Sequence, residues 1–340
     1  MSVLAIVWFG LAALLFAVYA VTDGFDLGAG VLYGLTKEPE RRRFVLATIS
    51  PIWSGNEVWL LAAVGSLLAA FPAAYASLLS VLYVPVVLFI VAVLFRALGV
   101  ELRGKTDSPF LIRLFDFFIP AGSAVQAWAV GLVAGNVLVG LPLDASHNLS
   151  GSWLFFLNPW ALGAGFLSLA AFTLHGSLYV AAKGEGAHRD ATLAFARRTF
   201  IVTAFFLVID AVGFPLFMAA RVGGLPSLVV FVLLCALAVA GYVGSFLELR
   251  KSRPMRAFAA SALGIAALVG ACAAWLFPTL IPSTLGAANA ITVANAAASD
   301  RSLSTILILA GIALPLVAVY TAIAYRSFRG KAGQAALHDD

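Results

Sequence analysis

Nine apolar stretches of about twenty residues each divide this 340-residue chain, and a helix of that length rises about 30 Å, the depth of a bilayer's hydrocarbon core. They cover residues 4–22 (continuing apolar towards 35), 54–71, 77–98, 117–140, 159–181, 199–219, 226–247, 257–278 and 304–326. Inside lipid the backbone must satisfy its own polar groups, and a segment of this length does so as a helix. The sequence therefore predicts an all-α polytopic membrane protein of about nine transmembrane helices, with residues 1–340 forming a single integral membrane domain. With 62% hydrophobic and 11% charged residues, and a mean hydropathy of +1.02, the composition excludes a soluble domain. The first stretch lacks a basic leader and a small-residue cleavage site, so it is read as a retained helix.

Basic residues alternate from loop to loop. Lys37, Arg41, Arg42 and Arg43 follow the first stretch; Arg96, Arg103, Lys105 and Arg113 follow the third; Lys183, Arg189, Arg197 and Arg198 follow the fifth; Arg250, Lys251, Arg253 and Arg256 follow the seventh. The tail adds Arg326, Arg329 and Lys331, leaving Arg221 and Arg301 of the 21 Lys and Arg for the other face. The positive-inside rule then places the N-terminus outside and the C-terminus in the cytoplasm. On this reading the net charge of +5 reports topology and implies no nucleic-acid partner. The longer connections, 141–158 and 279–303, fall outside; the second has the Pro, Ser, Thr and Asn content of a capped, structured loop. Cys235 and Cys272 lie in apolar stretches without CxxC spacing and read as core residues.

Against this background, polar side chains within the stretches carry the functional signal. Asp23 and Asp26, in VTDGFDLGAG, share one helix face at three residues apart. A charged side chain at membrane depth costs about 2.5–3.5 kcal/mol on insertion scales, so it is normally paired or functional. A structural pair and a proton-handling or ligand-binding pair both fit. In PIWSGNEVWLL, Pro51 suits a helix start, Ser54 and Glu57 are read on one face, and Trp53 is adjacent. Arg96 ends the third stretch and is expected to pair with Asp26. Asp210, between Arg198 and Arg221, is expected near the bilayer centre as a protonated, hydrogen-bonded acid. Of His147, His175, His188 and His338, only His175 lies within a stretch; it reads as a packing or hydrogen-bonding residue, and a lone histidine cannot supply bis-histidine haem ligation. No metal site and no haem held by this chain alone are expected.

These strings, in order, resemble subunit II of the cytochrome bd-type quinol oxidases. The match begins with Thr22-Asp23-Gly24-Phe25-Asp26-Leu27-Gly28 and Pro51-Ile52-Trp53-Ser54-Gly55-Asn56-Glu57-Val58-Trp59-Leu60. It continues through Phe71-Pro72-Ala73-Ala74-Tyr75-Ala76, Phe95-Arg96, Asn158-Pro159, Thr173-Leu174-His175-Gly176-Ser177-Leu178-Tyr179, Phe277-Pro278 and Leu314-Pro315. It ends at Tyr320-Thr321 and Tyr325-Arg326-Ser327-Phe328-Arg329-Gly330-Lys331. The resemblance implies a respiratory complex of the bacterial cytoplasmic (inner) membrane, in which a partner, subunit I, holds two b-type haems and one d-type haem and bears the quinol site. Quinol is oxidised near the outer face and dioxygen is reduced to water with protons from the cytoplasm. Subunit II is implied to be haem-free and to contribute a proton route and, in some members, a structural quinone. Carried onto this chain, Asp26 and Arg96 are the quinone or ion-pair candidates, and Asp23, Asp26, Trp53, Ser54 and Glu57 are candidates for the proton route. Lipid contacts are expected, and a small accessory subunit is left open.

One departure matters. Family members commonly read WDGN where this chain has Trp53-Ser54-Gly55-Asn56, so a serine stands at a position usually credited with a proton step. Glu57, or a water held by Ser54, is the candidate replacement; a divergent branch with a blocked route is the competing view. A proton-coupled secondary transporter also fits nine helices with intramembrane acids, and a purely structural scaffold is a third reading.

Overall fold

The computed structural model describes residues 1–218, 224–328 and 330. Arg221, Arg329, Lys331 and His338 lie outside the described residues.

The chain runs as helices α1 (Val3–Leu35), α2 (Pro39–Ile49), α3 (Trp53–Ala70), α4 (Pro72–Val81), α5 (Tyr83–Leu102), α6 (Pro109–Val139), α7 (Pro159–Lys183), α8 (Gly186–Phe217), α9 (Leu225–Arg250) and α10 (Pro254–Leu276). After α10 come two short strands, β1 (Thr279–Ile281) and β2 (Ile291–Thr292), then α11 (Val293–Ala296) and α12 (Asp300–Ser327). Proline stands in the first turn of α2, α4, α6, α7, α9 and α10. There its missing N–H has no helical partner to lose and its fixed φ favours the helix. Ser2, Asn158 and Ser299 cap α1, α7 and α12 through their side chains, each satisfying a backbone N–H at the helix start.

Among the described residues eight helices are long and apolar enough to span a membrane, or nine if the α2–α3 pair, bent by 50°, is counted as one broken span. Counted so, the number is the predicted one, with one register changed. The third stretch was read from residue 77, yet the helix spanning there is α5, and Pro72–Val81 is a separate short helix. Pro85 explains the break, because it removes the N–H that Val81's carbonyl would accept. Several helices also outrun their apolar cores: α8 starts at Gly186, so His188, Arg189, Arg197 and Arg198 are helical instead of loop residues.

The two longer connections meet at the end of the bundle where α1 begins. Leu141 N–H donates to Pro282 O at 2.9 Å and Thr284 N–H to Leu141 O at 3.0 Å, while Ser283 Oγ and Asn289 Nδ2 both donate to Leu143 O at 3.0 Å. Thr292 and Asn295 close a capping box at α11. Trp8 Nε1 ties α1 to Leu303 O of α12 at 3.0 Å. The second connection is thus a capped, structured loop, as its composition predicted, sealed over the bundle's apolar core by Leu141, Leu143, Phe156, Ile281 and Ile291.

The bundle is built around α1 and α7. A Cβ at Gly28 would lie 1.7 Å from Phe172 O, and one at Gly176 would lie 2.3 Å from Ala29 N, so the two backbones touch where both side chains are hydrogen. Small residues at such crossings allow close packing where lipid gives no hydrophobic drive. By contrast, α12 has none of its most apolar window buried. Gly176→Leu is expected to abolish stable accumulation of the protein, and Gly28→Ala to lower its thermal midpoint by several degrees, as read by yield and melting of the detergent-extracted protein.

Candidate functional site

Along α1, Tyr19, Asp23 and Asp26 fall on one face at spacings of four and three residues, and all three are buried. Opposite them stands Arg96 of α5, only 1% exposed. The first turn of α3 contributes Trp53, Asn56 and Glu57. Bringing these three helices together required the close approach of α6 behind Arg96: a Cβ at Gly122 would lie 2.6 Å from Ala92 O and 2.8 Å from Arg96 N.

Arg96 is held at both tips of its fork. Nη1 donates to Asp23 Oδ1 at 2.8 Å, and Nη2 donates to Glu57 Oε1 in a short contact. Its guanidinium carbon lies 5.8 Å from the centroid of the Trp53 ring, a cation–π distance. Asp26 has another partner: Asn56 Nδ2 donates to Asp26 Oδ2 at 2.7 Å, and Asn56 Oδ1 accepts from Tyr325 OH of α12 at 2.9 Å. The expected Arg96–Asp26 pair is therefore corrected to Arg96–Asp23–Glu57. The cause is helical geometry: three residues advance the chain by about 300°, so Asp23 and Asp26 lie on one face but point to different neighbours, α5 and α3.

The cluster opens in one place. Asp23 and Arg96 side chains are each 1% exposed, whereas that of Glu57 is 21% exposed. Ser54, read on the same face as Glu57, is exposed and belongs to none of the cluster's hydrogen bonds. Beside Trp53 lies a shallow, apolar hollow of about 270 Å³ lined by Trp53, Leu94, Ala97, Leu98, Glu101 and Leu102. Asn56, Tyr325 and Tyr19 were not singled out in the sequence. Asn56 and Tyr325 are uncharged members of strings already recognised, and a four-residue step from Asp23 was the available signal for Tyr19.

The other intramembrane polar residues lie apart. Asp210 of α8 is buried and packs against Gly163, where a Cβ would lie 2.6 Å from Oδ1; Trp160 Nε1 donates to its backbone carbonyl at 3.3 Å. Gly163 and Trp160 belong to the first turns of α7, so Asp210 sits towards the end of the bundle that carries the 141–158 connection, and not at its middle. Neither carboxyl oxygen has a hydrogen-bond partner among the described residues, in contrast to the expected hydrogen-bonded acid. His175 is fully engaged: Nδ1 meets Ser261 Oγ at 2.6 Å and Nε2 meets Val21 O at 3.2 Å, with its ring stacked on Phe258 at 4.3 Å. It is the hydrogen-bonding residue predicted, with both ring nitrogens engaged. His188 stacks on Phe44 at 5.2 Å. Among the described residues no three His, Cys, Asp or Glu side chains come together as a metal-binding group.

The model of the cytochrome bd terminal oxidase subunit II family matches residues 4–328. The chain belongs to this family. It is 30% identical to the cytochrome bd ubiquinol oxidase subunit 2 of Bacillus subtilis over 328 residues, covering 95% of each chain. It is 29% identical to the cytochrome bd-I ubiquinol oxidase subunit 2 of Escherichia coli, covering 97% of this chain and 95% of the relative. A chain of the bd oxidase structure from Geobacillus thermodenitrificans shares the fold, with a TM-score of 0.79 at 15% identity over 96% of this chain and 99% of that one. As a subunit of a terminal oxidase, the chain implies a partner subunit.

Breaking a buried ion pair leaves an uncompensated charge and costs about 3–5 kcal/mol. Arg96→Leu is expected to lose assembly of the protein. Arg96→Lys, whose single ammonium cannot match the forked contact, should assemble with a thermal midpoint lowered by several degrees. Equal melting of Arg96→Lys and the parent would show that the double contact contributes nothing to stability.

Proposed function

We propose that this chain is the haem-free subunit II of a bacterial cytoplasmic-membrane quinol:oxygen oxidoreductase, packing against a subunit I that holds two b-type haems and one d-type haem, and that its buried acid cluster conducts protons. The observation that carries this reading is the charge balance of the cluster: Asp23, Asp26 and Glu57 surround the single guanidinium of Arg96. One positive charge offsets one carboxylate, and the remaining two are stable at this depth only with protons or cations. A group of acids in that position binds and releases protons when the local charge changes, which is what reduction of dioxygen in an adjacent subunit would demand.

The roles follow from geometry. Arg96 fixes Asp23 and Glu57 and sets the field around them. Asn56 and Tyr325 orient Asp26. Glu57, partly exposed, is the cluster's surface end. It replaces the acid expected at position 54, because Ser54 faces away and Glu57 reaches Arg96. The face available for subunit I is that of α12 together with the adjoining turn of α3, where Tyr320 packs within 3.1 Å of the position a Cβ at Gly55 would take. A quinone would lie in the apolar hollow against Trp53, one ring away from Arg96. The C-terminus is placed in the cytoplasm by the basic loops.

Two measurements test this. Extracted gently with a tag, the chain should bring down a second large membrane subunit with b- and d-type bands in reduced-minus-oxidised spectra; a colourless, solitary chain under conditions that preserve related complexes would favour a permease. Within the complex, Glu57→Gln is expected to lower oxygen-reduction turnover by about a hundredfold, the low end for loss of a positioned proton-transfer group. It should also change the pH dependence of turnover. Unaltered turnover and pH dependence would remove Glu57 from the route.

A further inference from the structure

A second polar group lies on the same face of α1, two turns beyond Asp26, at the end of the bundle that carries the basic loops. Tyr33 OH donates to Asp116 Oδ1 of α6 in a short contact. Arg103 Nε, just after α5, donates to the same carboxylate oxygen at 2.9 Å and to Tyr33 OH at 3.1 Å. Arg42 of α2 approaches Asp116 Oδ2 at 3.5 Å. These are the charged and titratable groups facing Asp116, from α1, α2 and the turn after α5; on α6 itself Arg113 is turned back to Pro109 O at 3.1 Å. The Asp116 side chain is 20% exposed, so this cluster, unlike Asp23 and Asp26, touches the surface.

Between the two clusters runs the seam of α1 and α6, which cross antiparallel, Gly34 against Pro120 and Gly30 against Ser123. A Cβ at Gly30 would lie 2.0 Å from Ser123 Oγ, so the hydroxyl fills the space of the missing side chain. Thr22, Thr36, Thr173, Ser177 and Thr203 turn their hydroxyls back to the carbonyl four residues earlier, the usual resting place of a helical hydroxyl. Ser123 does not: its Oγ is fully buried and has no hydrogen-bond partner among the described residues. One turn on, Gln126 donates to Ala92 O at 3.2 Å, beside Arg96, while its Oε1 is also unpartnered and buried. Pro120 adds a further free acceptor near the mouth, since it removes the N–H that Asp116's carbonyl would accept. The seam is thus a file of polar atoms, Asp116, Tyr33, Ser123 and Gln126, ending level with Asp26, and two of its members, Ser123 Oγ and Gln126 Oε1, are buried without a partner among the described residues.

We propose that Asp116 is the mouth of the proton route and that Ser123, seated in the space Gly30 leaves, joins it to the Asp26–Arg96 cluster. This rests on the proton-conducting reading given above. Asp116 takes a proton from water at the basic-loop end and passes it to the Tyr33 oxygen as Tyr33 releases its own hydroxyl proton inward. Water bridges to Ser123, which likewise accepts one proton and gives one up. Each carrier returns to its starting state, and one proton reaches the acids around Arg96.

The test uses the whole oxidase complex with Asp116→Asn, Asp116→Glu, Ser123→Ala and Glu57→Gln, measuring oxygen consumption from pH 6 to 9 beside haem spectra and thermal melting. Asp116→Asn should slow turnover severalfold, with the deficit growing as pH rises and protons become scarce, and Asp116→Glu should restore it. Ser123→Ala, which removes one oxygen from a buried site, should reproduce the alkaline deficit with unchanged spectra and melting. An Asp116→Asn complex with the parent's turnover and pH profile overturns the mouth, and if Glu57→Gln is slow in the same assay the route itself stands. If Glu57→Gln is equally unaffected, the conducting reading fails with it. A uniform loss in Asp116→Asn that Glu does not rescue assigns a structural role and overturns the proposal. Should Asp116→Asn not assemble, Ser123→Ala decides: an alkaline deficit supports the seam, and parental behaviour overturns it.

Discussion

The double contact of Arg96 is the constraint around which the rest of the bundle is arranged. A guanidinium taken fully out of water must recover its lost hydration from the protein, and Arg96 does so by receiving carboxylates from two helices at once, Asp23 of α1 and Glu57 of α3. Neither helix can rotate or slide without uncovering a buried charge. The forked geometry of arginine makes this a positional constraint as well as an energetic one, since two parallel N–H groups fix where both carboxylates lie. Asp26 then follows, because its place on α1 is set by Asp23 and it meets whatever α3 presents one turn away. That residue is Asn56, which carries the contact outward to Tyr325.

Such an arrangement needs α1 to be approached on all sides, and glycine supplies the access. Gly28 admits α7, Gly30 admits Ser123, and Gly34 admits Pro120. Three glycines within two turns allow one helix to pack closely against two others while still presenting its acids to α3 and α5. Helix α12 is attached differently. It is pinned near its start by Trp8 at Leu303 O and at its C-terminal end by Tyr325 and by Lys183, whose Nζ donates to Phe328 O at 2.6 Å. Between these ends no residue of its most apolar window is fully buried, and on the proposed reading the outward side of that length meets subunit I while its end holds Asn56 in place for Asp26.

Much of this was legible in the sequence because the membrane imposes simple rules. Apolar length gave the spans, and the recognised strings gave the family. The spans that were misplaced are those where proline acts through a neighbour's carbonyl: Pro85 detaches α4 from α5, and no hydropathy window sees a missing N–H. The acids were legible as candidates because a carboxyl in lipid is costly, but their pairing was not. The choice of Asp23 over Asp26 as the partner of Arg96 depends on the rotation of α1 about its axis, which is set where Gly28 of α1 meets Gly176 of α7. Asn56, Tyr325 and Ser123 escaped for the opposite reason: uncharged polar residues carry little cost in a membrane helix, so nothing in composition marks them until a partner, or the lack of one, is seen.

Position 54 is where this chain departs from the pattern the resemblance implies, and α3 supplies a carboxylate to the guanidinium from elsewhere along its length. In the family the resemblance points to, an acid commonly precedes the Gly-Asn pair; here that position faces outward and carries a hydroxyl. Position 57 lies three residues on, about 60° round the helix and 4.5 Å along it. From there a glutamate, one methylene longer than aspartate, spans the remaining gap to Arg96. Glu57 thus brings the negative charge of α3 to the guanidinium, whatever residue stands at position 54. It also leaves that charge at the one partly exposed point of the cluster. On the proposed reading a proton enters or leaves the cluster at Glu57, the member of it that is partly exposed.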